Sequence, residues 1–173
     1  SLALAFDYLS MAISEIGSIS ERRIFKLISG ERDLPAFLIE NAGLNSGFMI
    51  TQYTAASIVN QNKQLSFPNS VDSIVSSNGQ EDHVSMGANS ATKLYEIIEN
   101  TKTILAIELL VACQGLDIRI QNKGIKTSPF NMKVLENFRR DIPFIKQDCV
   151  MKELISNSEK FLNKFDINFS YFL

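Results

Sequence analysis

The chain has 173 residues, 45% of them apolar and 21% charged, which is enough apolar material for a packed core and too much for a disordered segment. Its 17 Lys and Arg stand against 19 Asp and Glu with no long run of one sign, so neither nucleic acid nor an anionic membrane is expected as a partner. Cys113 and Cys149 form no CxxC and have only His83 as an imidazole companion; a metal site is not expected, and two such thiols suit reduced residues of a cytoplasmic protein.

The chain opens without Met and already in an apolar pattern, as though it belonged to something longer. Leu2, Phe6, Leu9, Ile13 and Ile16 recur at steps of four and three, one face of an α-helix. Asp7 and Glu15 interrupt this run and no basic leader precedes it, so it reads as a packed helix rather than a signal or a bilayer span. Gly17 followed by Ser18-Ile19-Ser20-Glu21 is either a kink or a new capped start, and Gly30 and Pro35 end the helix in both cases.

A second helix is expected from about Ser46 to Leu65, with Met49, Tyr53, Ala56 and Val59 on one side. Its entry, residues 43–47, has a Gly at each end and either offers backbone N–H groups to an anion or permits close packing. Residues 66–80 are dense in Ser and Asn, and a connection of this length in a bundle is functional or disordered. Phe67, Val71, Ile74 and Val75 are its expected apolar anchors.

A third helix is expected from about His83 to Ala112, where Val84, Ala91, Ile98, Leu105 and Ala112 repeat every seven residues as a buried seam. Such a helix is roughly 45 Å long at ~1.5 Å per residue, which points to packing against further chain or subunits. Between Ile104 and Ala112 only Glu108 is charged, so its carboxylate needs a partner. Pro129 opens a short helix to Arg140, Pro143 breaks it, and a last amphipathic helix covers roughly Val150 to Phe161. The expected fold is all-α: a long-helix bundle over residues 1–120 with the site on loop 66–82, and a helical tail over 121–173 packed on the bundle.

From Gln64 to Thr92 there is no Lys or Arg, whereas Asp72, Glu81 and Asp82 bring three negative charges. That patch suits a cationic or imidazole-bearing ligand; alternatively, Glu81 and Asp82 only complement the positive end of the third helix. His83 is either a base or ligand, or an ordinary first-turn residue. No P-loop, GxGxxG or GxSxG occurs, so the residues by themselves support a helical, oligomeric domain with one acidic polar loop.

Specific strings carry the reading further. GSISERRI at 17–24, GLNSGFMI at 43–50, VDSI at 71–74, NGQEDHVSMG at 78–87, and LAIELL followed by CQGLDIR at 105–119 resemble the histidine ammonia-lyases, in the right order over nearly the whole chain. The resemblance implies the C-terminal part of a mainly helical fold that assembles as a homotetramer, with active sites drawing on more than one subunit. It implies non-oxidative elimination of ammonia from L-histidine to trans-urocanate. The family's electrophile is a methylidene-imidazolone formed from an Ala-Ser-Gly tripeptide, and its base is a Tyr; both belong to family segments that precede Ser1. This sequence contains no Ala-Ser-Gly, so the chain alone is expected to be inactive. Glu81 matches the family's active-site glutamate, Met49 a position lining the substrate pocket, and Gln80 stands beside the glutamate. Phenylalanine and tyrosine ammonia-lyases and the related aminomutases share this fold and electrophile, but the phenylalanine enzymes resemble Gln and Lys where this chain has Glu81 and Met49, and a carboxylate suits an imidazole N–H better than a benzyl ring.

Overall fold

Small and polar side chains decide how the longest helices of this chain meet. In a computed structural model describing residues 2–165, α1 (Leu2–Ile28), α2 (Met49–Leu65) and α3 (Gly87–Lys123) form the bundle. They are followed by α4 (Pro129–Asp141) and α5 (Met151–Lys164), and no strand is present among the described residues, only isolated bridges. The fold is all-α, as expected; the last part of the expected tail, residues 166–173, lies outside the described residues.

α1 and α3 run parallel, since Asp7 lies beside Ser90, Gly17 beside Thr101 and Ile104, and Ser20 beside Glu108. α2 runs back between their faces: Gln52 reaches Glu21, Asn62 reaches Thr101, and the Ser66 hydroxyl just past its end meets Ser14. The buried face of α1 is Ala3, Asp7, Ser10, Ser14, Gly17, Ser20, Glu21, Ile24 and Ile28. This corrects the expected apolar stripe, of which Leu2, Leu9 and Ile16 are exposed and Phe6 and Ile13 half-buried. The reason is steric: a Cβ on Gly17 would stand 3.1 Å from Ile104 Cδ1, an approach that large side chains on this face would forbid. By length and composition α1 is long and apolar enough to cross a membrane, despite Asp7 and Glu15, but its polar face is packed on α3.

The seam of α3 is displaced by one residue from the expected one. Ser90, Ile97, Ile104, Val111 and Ile118 are buried, together with Leu94, Thr101 and Gly115, while Ala91, Ile98, Leu105 and Ala112 are only half-buried and Val84 precedes the helix. Because residues 104–113 are apolar almost all round, hydrophobicity alone cannot select the register; the polar members Ser90, Thr101 and Gln114 disguise it. Likewise α2 buries Thr51, Ala55, Val59 and Asn62, and of the expected side only Val59 is buried. α3 spans 37 residues, longer at its C-terminus than expected. It ends at Gly124, whose left-handed φ of 58° lets its N–H bond the Ile120 carbonyl at 2.9 Å.

Glu108 finds the partners its position demands: the Ser20 hydroxyl at 2.5 Å, Arg23 Nη2 at 2.8 Å and Arg23 Nε. The tail is tied down by polar pins. Buried Gln114 donates to the Leu38 and Ile145 carbonyls and accepts from the Ile145 N–H. Arg139 pairs with Asp117 at 2.6 Å and donates to the Ile142 and Pro143 carbonyls. Ser128 caps α4 ahead of Pro129 by accepting from the Asn131 N–H.

Candidate functional site

The connection between α2 and α3 is a loop whose order comes from hydrogen bonds. Ser77, Asn78 and Gly79 all have positive φ and make one 3₁₀ turn, bringing the Ser76 N–H within 2.8 Å of the Glu81 carbonyl. Asn tolerates this region and Gly favours it, so the Ser-Asn-Gly string suits the turn. The same turn aims the Ser76 and Ser77 hydroxyls at one oxygen of the Glu81 carboxylate, at 2.7 and 2.9 Å. These two bonds hold the Glu81 carboxyl below the usual carboxylate range. Glu81 is exposed, and both hydroxyls bond the same oxygen, so the other is left as an ionised acceptor that neither hydroxyl occupies.

The alternative assignment of Glu81 and Asp82 as helix-end complements does not hold. α3 begins only at Gly87 and has no acidic residue in its first turn, and the dipole effect fades beyond a turn. His83 likewise precedes the helix and is exposed, which corrects its placement in a first turn. Gln80 is exposed beside Glu81, its backbone N–H bonded to the Ser77 carbonyl. The expected apolar anchors of the loop are not anchors either: Phe67, Val71, Ile74 and Val75 are 70, 71, 50 and 68% exposed.

Met49 is the first residue of α2, half-buried. The loop carrying Glu81 leaves from the other end of this helix, roughly 24 Å away at ~1.5 Å per residue, and is pinned near the N-terminal ends of α1 and α3. The structure therefore does not bring Met49 and Glu81 together within one chain. The segment leading into Met49 does bind an anion, but an internal one: Asp148 accepts from the Ser46 N–H at 2.9 Å and the Gly47 N–H at 2.7 Å. Gly47 has a φ of 50°, and a Cβ there would lie 2.5 Å from the Phe37 carbonyl oxygen, so only glycine fits.

Three functional neighbours are not marked by any motif in the sequence. Ser76 and Ser77 are inconspicuous in a Ser-rich loop, and nothing in the string marks them as partners of Glu81. Asp7 carried a usable signal, being an acid set in an otherwise apolar run. It is buried, and its Oδ2 accepts the Ser70 N–H of the loop at 2.7 Å. Burial alone would raise its carboxyl, but donors on Ser70, Ser90 and Asn69 together outweigh this and hold it below the ordinary value. Of the thiols, Cys113 is buried and pushed up to about 12 by desolvation, and Cys149 is exposed; neither is in a disulfide.

A long-helix bundle with α1 and α3 parallel and α2 antiparallel between them carries an exposed, hydroxyl-held carboxylate on its interhelical loop. The aromatic amino acid lyase family model matches residues 1–140, and the chain belongs to that family. Within it, the chain is 47% identical over 167 residues to a histidine ammonia-lyase of Treponema denticola, covering 91% of this chain and 32% of that protein. It superposes on the crystal structure of histidine ammonia-lyase from Trypanosoma cruzi with a TM-score of 0.87 and 46% identity, over 93% of this chain and 31% of that one. A Pantoea agglomerans phenylalanine aminomutase gives a TM-score of 0.86 at 29% identity, covering 93% of this chain and 31% of its own. The chain thus spans about a third of the length of the relatives it matches.

Proposed function

We propose that this chain forms part of a histidine ammonia-lyase, an enzyme eliminating ammonia from L-histidine to give trans-urocanate, and that Glu81 holds the substrate's imidazole. The observation that carries this reading is the Glu81 carboxylate itself: ionised, fixed by Ser76 and Ser77, exposed and not spent on a helix end. A carboxylate held below its usual range is a weak proton acceptor near neutrality and a strong hydrogen-bond acceptor for an imidazole N–H. A benzyl ring offers it no donor, which agrees with the higher identity to histidine ammonia-lyases than to the phenylalanine aminomutase. In this reading Met49 lines the side-chain pocket and Gln80 assists beside Glu81.

One amino acid cannot touch both ends of α2, so we assign Met49 and Glu81 of one chain to different sites, each completed by another copy. The outward apolar residues of α1, among them Leu4, Tyr8, Met11 and Ile19, support such an assembly, a tetramer by family resemblance. The methylidene-imidazolone of the family would supply the electrophile, but this chain has no Ala-Ser-Gly from which to form it. The ring would therefore come from another part of the enzyme, and no step assigned to this chain passes through it. The unpaired thiols support a cytoplasmic setting.

The test is Glu81→Gln in the full-length enzyme, following urocanate absorbance. Loss of a charged acceptor at the reacting ligand should lower kcat/KM by roughly 10²-fold or more, with melting temperature unchanged because the group is exposed. Activity within a few-fold of the unaltered enzyme would remove Glu81 from the site.

A further inference from the structure

The large apolar residues of the loop bearing Glu81 give it little hold on the bundle, since Phe67, Val71, Ile74 and Val75 all lie exposed. Its fasteners are polar, and one of them is unusual. Asp7 is 2% exposed, set between Phe6 and Tyr8 on a helix that opens with Leu and Ala, a position where a carboxylate is costly unless donors surround it. Most of those donors come from the loop, the Ser70 N–H at 2.7 Å with Asn69 and the Ser70 hydroxyl beside it, and one, Ser90, from α3. The bundle surface around Asp7 is itself polar, made of buried Ser10, Ser14 and Ser90.

From Ser70 the constraint runs on toward Glu81. The Ser73 hydroxyl accepts the Val84 N–H at 3.0 Å, closing the loop on itself. Inside that closure the Ser76 to Glu81 bridge sets the carboxylate. On the other side Lys93 donates to the Phe67 carbonyl, so the loop's first residues are clamped between α1 and α3.

We infer that Asp7 is a positioning residue for Glu81: its buried carboxylate seats the loop's first turn on the bundle and so fixes where Glu81 is presented. This rests on Glu81 being the site carboxylate, and the two claims fail separately. In the full-length enzyme, Asp7→Asn should raise amide hydrogen exchange across residues 67–84 about 10-fold or more while protection in α1 and α3 is kept. It should also lower kcat/KM ~10- to 10²-fold, the same parameter that Glu81→Gln lowers, as displacing the group that holds the imidazole does. Exchange in the loop equal to that of the unaltered enzyme would overturn the inference, and so would faster exchange with unchanged kcat/KM. Should Asp7→Asn fail to fold, the unaltered protein decides: the Ser70 amide should be the slowest to exchange in the loop, and a fast Ser70 amide overturns the anchor. A silent Glu81→Gln would sink the site assignment alone, leaving the exchange result to judge Asp7.

Discussion

Replacing Ile104 or its neighbour Leu105 by Ala separates the seam found in the structure from the seam the heptad pattern suggests. Ile104 is fully buried between α1 and α3, its Cδ1 within 3.1 Å of where a Gly17 Cβ would lie. Ile104→Ala removes about three methylene equivalents at ~0.8 kcal/mol each, or about 2.4 kcal/mol of transfer free energy. The cavity left in a tightly packed seam adds to this, giving about 4 kcal/mol, within the usual range of ~2–5 for such changes. Leu105 is half-buried at the flank, so Leu105→Ala loses about half the transfer and leaves no closed cavity, about 1 kcal/mol. Thermal melts should then show a drop of roughly 8–16 °C for the first and 2–4 °C for the second, at about 2–4 °C per kcal/mol for a chain of this size. Equal drops, or a larger one for Leu105→Ala, would refute the register and the packing argument behind it.

Asp7 gives a pH signature. Its carboxyl is lowered on folding, so the stability it contributes is complete above its ordinary value of 3.8 and is lost as pH falls through the folded value. The stability difference between the unaltered protein and Asp7→Asn should therefore stay constant from pH 7 to about 5 and close below pH 3.8. A gap that closes near neutrality would contradict the hydrogen-bond cause. Asp148→Ala should cost about 1 kcal/mol, the worth of bonds to partly exposed N–H groups, and should make residues 43–47 and 146–149 together more sensitive to limited proteolysis. Cleavage at only one of the two segments would argue that Asp148 does not strap them.

Element positions were legible in the sequence because their punctuation is local. Gly30, Pro129 and Pro143 mark ends that do not depend on the rest of the fold. Helix faces were not legible, because period counts which residues are apolar and not which are small. In α1 the large apolar residues Leu2, Leu4, Leu9 and Ile16 point outward while Asp7, Ser10, Ser14, Gly17 and Ser20 are buried, an arrangement that close approach favours and hydropathy conceals. Glu108 was foreseen as a charge needing a partner, and Arg23 and Ser20 supply it across 85 and 88 residues of chain. At the site, Glu81 could be singled out from a cation-free stretch and a resembling string. Its hydroxyl partners could not, since they depend on a turn of consecutive left-handed residues. The separation of Met49 from Glu81 follows from the antiparallel return of α2, a tertiary fact no local pattern holds.

That separation offers the most direct test of the account. Met49→Lys and Glu81→Gln should each disable the full-length enzyme; the two variants are then co-expressed, the mixed oligomers purified, and L-histidine turnover measured. If Met49 and Glu81 of one chain serve different sites, random pairing of the two chain types in a symmetric oligomer leaves about a quarter of sites with both native residues, and about a quarter of the unaltered activity returns. Activity no greater than the mean of the two separate variants would contradict the account and place both residues in a site built from one chain.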